Sequence, residues 1–373
     1  MKKVLVLAVV LLGIYLVLPI SMKRGIVHNF ANVDDYKLFP YNTVKTGIPQ
    51  PWSESATYNS VKPSASLLEK IEANRTIAFL VIQNDSLCFE QYWKGYSDSS
   101  YSGSFSMAKS LISLLVGVAL GEGKIQSLDQ PIAAFIPEFK RSGTDTITIR
   151  ELLSMSGGFN WNESYWNIFG KTARSYYGDQ LNELTGKLRS RDPAGVHFRY
   201  ASCETQMLGW MLVNIYKKSL AELASEKIWK KIGAEYDAIW STDKAGGVEK
   251  SFCCFNSNAR DFARLGKLVL QQGRWDSLQI VPMNYIKEAT SPAEWLKDDE
   301  GNQVDFYGYQ FWITKRKGLT IPYFRGVLGQ FVFVIPEKNA IIVRLGEYVS
   351  KEREHYTPPD VFTYLDAGLE VLD

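Results

Sequence analysis

The stretch that most constrains this chain is Ser110 to Gly121, SLISLLVGVALG, which is apolar and carries no proline and no charge. A helix that is apolar all round has to be buried all round. The chain must therefore supply layers on every side of this one segment, with Gly121 and Gly123 marking its end. It is entered through a small, turn-prone run, Ser102-Gly103-Ser104-Phe105-Ser106-Met107-Ala108-Lys109. Ser106 falls in the first turn of the expected helix and Lys109 one turn later, on the same face. A serine with a lysine three residues on is the minimal Ser-Lys nucleophile arrangement. The ammonium can donate to the hydroxyl oxygen and, once neutral, can take its proton. The helix N-terminus adds free N–H groups and a positive dipole end, suited to a developing oxyanion. The competing reading makes Ser106 a helix cap and Lys109 a solvated side chain. The same spacing recurs at Ser241-Thr242-Asp243-Lys244, in a polar, glycine-flanked loop with no apolar helix behind it.

The 373 residues, 46% of them hydrophobic, suffice for a large core in one two-lobed unit or two domains. A net charge of +2 with no basic stripe makes nucleic acid an unexpected partner. His28, His197 and His355 have no metal-ligand spacing, so neither metal nor cofactor is expected. Cys88, Cys203, Cys253 and Cys254 fit no zinc pattern and read as buried free thiols, since neighbouring cysteines rarely bridge each other. Met1-Lys2-Lys3 precedes an apolar run from Val4 to Ile20, and Lys23-Arg24 follow. Residues 1–24 thus read as a signal anchor or signal peptide. The anchor is preferred, because no Ala-x-Ala cleavage site and no lipid-bearing cysteine follow. The expectation is a protein of the cell envelope, on the periplasmic or extracytoplasmic side, held to the membrane by this segment or secreted. Oligomeric state is left open. Residues 25–70 read as a tether, which contains Lys45-Thr46-Gly47.

Beyond the tether, Thr76–Ile82 and Leu87–Tyr92 flank Gln83-Asn84-Asp85-Ser86 as a hairpin. A capped short helix is expected from Glu151, and longer helices over Ser202–Lys218 and Ala259–Gln272. Strands return at Tyr307–Ile313, Gly329–Pro336 and Ala340–Leu345, and a helix closes the chain from Pro359. The order strands, helices, strands, helix implies an α+β fold: an antiparallel sheet flanked by helices, built from both ends of a domain over 71–373. The sheet lobe takes about 71–125 and 300–373, and a mainly helical lobe, about 126–299, is inserted.

Three further stretches complete a candidate cleft. Pro193 to Ser202 places Tyr200 just before an apolar helix, Ser156-Gly157-Gly158 follows the short capped helix, and Gly326-Val327-Leu328-Gly329-Gln330 opens a strand. With these in order, residues of about 75–350 resemble the β-lactamase-related serine hydrolases, a group that includes class C β-lactamases, D-alanyl-D-alanine carboxypeptidases and esterases. The likeness is greatest to the 6-aminohexanoate-dimer hydrolase branch, through Phe198–Trp210, Ile228-Trp229, Asp237–Trp240 and Ala259–Gly266. The resemblance implies a β-lactamase/transpeptidase-like fold. It also implies Ser106 as nucleophile, Lys109 as its partner, and Tyr200 as general base and then acid, with Lys109 lowering the phenol. The N–H groups of Ser106 and Val327 would form the oxyanion hole. Gly326 and Ser202 would contact substrate. Apart from the resemblance, Trp161, Tyr165 and Trp166 read equally as a wall of the substrate cleft or as packing between the lobes. Two positions depart from the group. Ser202 stands where Tyr-x-Asn is common, and no Lys-Thr-Gly follows Tyr200, which leaves Arg325 or Arg344 as the candidate clamp for a substrate carboxylate. The expectation is an exported, membrane-tethered serine hydrolase that cleaves a small ester, amide or short peptide through an acyl-enzyme. The alternative is a non-catalytic peptidoglycan- or penicillin-binding protein on the same scaffold.

Overall fold

β-Branched and aromatic residues crowd both ends of the chain, and in the computed structural model, which describes residues 2–28, 31–141, 143–165 and 167–372, these ends meet in one sheet. The strands are β1 (Tyr41–Val44), β2 (Ser53–Glu54), β3 (Thr76–Gln83), β4 (Ser86–Tyr92), β5 (Ser102–Gly103), β6 (Ala238–Ser241) and β7 (Phe255–Ser257), then β8 (Arg274–Trp275), β9 (Leu278–Gln279), β10 (Trp312–Arg316), β11 (Leu319–Gly326), β12 (Gln330–Ile335) and β13 (Ala340–Gly346). The main sheet has the order β10-β11-β12-β13-β3-β4-β2. Its pairs are antiparallel except β2 with β4. Alternation along β3 sends Leu80 and Ile82 into one core and Phe79 and Val81 into another. The second core is closed by the helices Ala65–Ala73 and Asp360–Leu369, through Ile71, Val361 and Leu365.

The first core holds the Met107–Gly121 helix, in which every residue from Met107 to Ala119 is buried. At Gly117 an added Cβ would come within 2.6 Å of Tyr285 and Val281, so only glycine allows this approach. A second sheet, in the order β1-β6-β7-β5, brings the chain up to that helix. Its last tie is Ser104 N donating to Phe255 O at 2.8 Å.

Several expectations are corrected. The segment Tyr307–Phe311 is not a strand. Gln310 takes a left-handed φ of 65°, and its amide donates to the Leu152 and Leu153 carbonyls, so β10 starts only at Trp312. Gly326 ends β11 rather than opening a strand. The turn through Leu328 and Gly329, at φ 64° and 82°, leads to β12 at Gln330. The single apolar span expected over Val4–Ile20 is two helices, Lys2–Val17 and Ile20–His28. Pro19 accounts for the break, since it lacks an N–H and its ring clashes with a preceding helical turn. Among the described residues no helix is long and apolar enough to cross a membrane. The segment read as a tether joins both sheets through β1 and β2, and Lys45 pairs with Asp237 at 2.7 Å. Lys45-Thr46-Gly47 is therefore a clasp between the arm and the body.

Candidate active site

Ser106 occupies the N-cap position of the buried helix, at φ −67° and ψ −4°, yet its side chain makes no capping bond. Phe105 before it takes φ 44°, a left-handed conformation that turns the chain sharply into the helix. The Ser106 hydroxyl is thereby freed from the backbone and receives a hydrogen bond from Lys109 Nζ at 3.0 Å. Lys109 Nζ also donates to the Phe252 carbonyl at 2.8 Å and lies 5.2 Å from the Tyr200 ring centre. Lys109 is only 1% exposed, which excludes the solvated reading. Burial lowers its pKa to about 8, against a raising influence from Glu163 and a smaller one from Cys203. The other Ser-x-x-Lys is a coincidence of spacing, because Ser241 is buried in β6 while Lys244 is exposed.

Tyr200 stands on the chain entering the Ser202–Tyr216 helix, its ring tilted against Trp312 at 5.5 Å between centres. Its hydroxyl lies within electrostatic reach of Ser106. The ring keeps some exposed surface, but its dense surroundings push the phenol above its ordinary value. Ser106 and Arg325 oppose that rise, and Glu163 adds to it. Burial is the largest influence on the resting tyrosine.

Ser202 and Trp161 have a different task from the expected one. Ser202 N and Oγ donate to the two Glu163 carboxylate oxygens at 2.8 and 2.7 Å, and Trp161 Nε1 donates to Glu163 at 2.7 Å. Both residues are buried, so they hold a fixed carboxylate beside Lys109 and Tyr200 rather than forming an open wall. Tyr165 is 48% exposed on the same loop, and Trp166 lies outside the described residues. Glu163 is a participant that sequence reasoning missed. The only signal was a carboxylate two residues after Trp161.

The far edge of the site is the turn between β11 and β12. A Cβ at Gly326 would stand 2.3 Å from the Ser104 carbonyl oxygen, so the strand end lies directly on the loop that carries Ser106. Val327 follows as the first residue of the turn. Arg344 is fully buried and donates to the Leu328 and Gly329 carbonyls at 3.0 and 2.7 Å, which makes it a buttress and not a substrate clamp. Arg325 stacks over Trp312 at 4.3 Å, donates to the Tyr356 carbonyl at 2.8 Å and acts electrostatically on Tyr200. Asp261 and Arg264, paired at 3.0 Å and buried, form a structural ion pair.

Cys88 and Cys203 are buried and free, and burial pushes the Cys203 thiol well up. Cys253 and Cys254, expected as free thiols, instead form a disulfide. The left-handed φ of 67° at Cys254 turns the backbone so that the adjacent sulfurs meet.

The sheet with its covering helices, and a serine and lysine joined at the mouth of a buried helix, define a serine hydrolase. The β-lactamase family matches residues 65–357, and the chain belongs to it. The chain is 24% identical over 314 residues to the 6-aminohexanoate-dimer hydrolase of Paenarthrobacter ureafaciens, covering 78% of this chain and 77% of that one. Among solved structures it is similar to a Bacillus anthracis protein provisionally named a 6-aminohexanoate-dimer hydrolase, with a TM-score of 0.78 and 23% identity over 91% of this chain and 92% of that one. It shares its fold with a family VIII carboxylesterase at a TM-score of 0.65 and 17% identity, over 87% and 99% of the two chains.

Proposed function

We propose that this hydrolase cleaves an ester or a linear amide through an acyl-enzyme on Ser106. The observation that carries the reading is the buried Lys109 amine held 3.0 Å from a serine hydroxyl that has no structural task. A lysine lowered to about 8 is neutral in a useful fraction of molecules near neutral pH and can accept the serine proton as Oγ attacks. The N–H groups of Ser106 and Val327 receive the oxyanion. The protonated Tyr200 gives its proton to the leaving amine or alcohol. In deacylation the attacking water returns a proton to the tyrosinate, and the Lys109 ammonium re-protonates Ser106 as the product acid leaves. Every proton is then back in place.

Glu163 and Arg325 bring opposite charges to bear on Tyr200. The relative named for a 6-aminohexanoate dimer supports a linear amide. We also propose export, with the N-terminal segment at a membrane. Two lysines precede an apolar helix whose Val4, Val6, Leu7 and Val17 are exposed and lack a cover. The test of the catalytic reading is fluorophosphonate labelling together with hydrolysis of short-chain nitrophenyl esters and anilides. Ser106→Ala is expected to abolish both. Equal labelling and turnover in wild type and Ser106→Ala would overturn it.

A further inference from the structure

The disulfide is built into the turn that touches the candidate base. Phe252, whose carbonyl accepts from Lys109 Nζ at 2.8 Å, immediately precedes Cys253 and Cys254. Both flanks of this turn are pinned. Ser251 N and Oγ donate to Gln206 Oε1 at 2.9 and 2.8 Å, on the helix that follows Tyr200. On the other flank the Cys254 carbonyl accepts from Ser241 N at 2.9 Å and from Asn256 Nδ2 at 2.8 Å. Trp240 Nε1 spans the turn, donating to the carbonyls of Lys250 at 3.0 Å and Cys253 at 3.1 Å. Between those pins the chain carries a left-handed Cys254. That conformation is unfavourable for a residue with a Cβ, and the covalent ring holds it. Cys254 also lines a narrow cleft with Asp35, Tyr36, Phe39, Asn256 and Phe105, the last being the residue before the nucleophile.

We propose that the Cys253–Cys254 disulfide is a positioning element of the hydrolase, locking the Phe252 carbonyl that holds Lys109 against Ser106, and that its reduction by a dithiol lowers turnover. The proposal rests on Ser106 and Lys109 acting as described above. In the redox step a thiolate of the dithiol attacks one sulfur, breaking the Sγ–Sγ bond and forming a mixed disulfide. The second thiol then displaces it. Two electrons and two protons pass to Cys253 and Cys254, and the dithiol leaves as its own cyclic disulfide. The freed turn can relax at Cys254, the Phe252 carbonyl shifts, and Lys109 loses its fixed place.

The test uses the full chain with a nitrophenyl ester as substrate and dithiothreitol as reductant, and diamide to re-oxidise. Alkylation and mass spectrometry of the denatured protein score the redox state. The native protein should show two alkylated cysteines and the reduced protein all four. Reduction should lower kcat by about tenfold or more, since misplacing a catalytic group by ~1 Å can cost about 10²-fold. KM should change little, and diamide should restore kcat. Cys253→Ser combined with Cys254→Ser should show the low kcat and ignore dithiothreitol. Because that variant could fold poorly, the reversible cycle on wild type is the primary measurement. Verified reduction with unchanged kcat would overturn the proposal, as would four alkylated cysteines in the native protein or continued dithiothreitol sensitivity in the double variant. Unchanged labelling in Ser106→Ala instead overturns the nucleophile reading beneath it, so the two failures are distinguishable.

Discussion

Gly326→Ala tests whether the β11–β12 turn is part of the reacting centre. The added Cβ would lie 2.3 Å from the Ser104 carbonyl oxygen and 3.0 Å from Gln330 Cβ. An ordinary C···O approach is about 3.3 Å, so roughly 1 Å must be found. Neither neighbour gives easily. Ser104 is tied through its N–H to the Phe255 carbonyl, and Gln330 donates to the carbonyls of Val327 at 3.2 Å and Gly346 at 2.5 Å. Overpacking of this kind costs about 1–3 kcal/mol of stability, which thermal unfolding would register as a modest fall in Tm. The catalytic effect should be larger. If the strand end retreats, the Val327 N–H leaves the oxyanion position. If the loop retreats, Ser106 does. Either displacement of ~1 Å should cost about 10²-fold in kcat, with KM for a neutral ester little changed because the loss falls on the transition state. Steady-state kinetics on a nitrophenyl ester measure both parameters. A well-folded Gly326→Ala enzyme with wild-type kcat would refute the placement of the oxyanion hole between Ser106 and Val327.

Other perturbations read other parts of the site. With neutral Lys109 as base, kcat/KM should rise with pH to a plateau above about 8, without the fall a depressed phenol would cause below the ordinary tyrosine range, as a pH–rate profile would show. Glu163 raises the Lys109 pKa, so Glu163→Gln should move that rising limb to lower pH, by up to about 1 unit. A limb that stays put would remove Glu163 from the electrostatics. Tyr200→Phe keeps the packing on Trp312 but loses the acid, and kcat on an amide should drop by about 10²–10⁴-fold with Tm nearly unchanged. Arg344→Leu leaves the Leu328 and Gly329 carbonyls without their donor in a buried place, and should cost several kcal/mol in chemical denaturation together with kcat.

What could be read in the sequence was what depends on near neighbours. Ser106 and Lys109 were visible because helical spacing is local, and the β3–β4 hairpin because its turn residues sit between two apolar runs. Partnerships made across the fold were not visible. Glu163 meets Ser202 across 39 residues, through a loop whose path no periodicity encodes. The Phe252 carbonyl is backbone, and no residue type announces it. The disulfide turns on one left-handed φ at Cys254. β11 was missed because Pro322 argues against a strand, yet the strand pairs on both sides around it. Tyr307–Phe311 has a strand's composition, but its rings are wanted in the core and at the Tyr200 wall.

In the proposed mechanism the roles of Lys109 and Tyr200 follow from how far apart the site pushes them. Sequence alone suggested mutual help, with a cation lowering a phenol. Burial instead acts on both groups in the sense that disfavours charge, lowering the lysine and raising the tyrosine. A shared apolar setting therefore makes the amine the easier proton acceptor and leaves the phenol a held proton donor, and such divergence is what assigns acid and base in a single site. Glu163 sharpens the assignment for the tyrosine, keeping it protonated, but works against it for the lysine. The Phe252 carbonyl bears on that conflict. It accepts one N–H from Lys109 in either protonation state, so it fixes the amine's position. Proton affinity is thus set by burial and Glu163, and geometry by a backbone carbonyl on a covalently closed turn. Glu163→Gln should therefore move the pH profile, while reduction of the disulfide should move kcat.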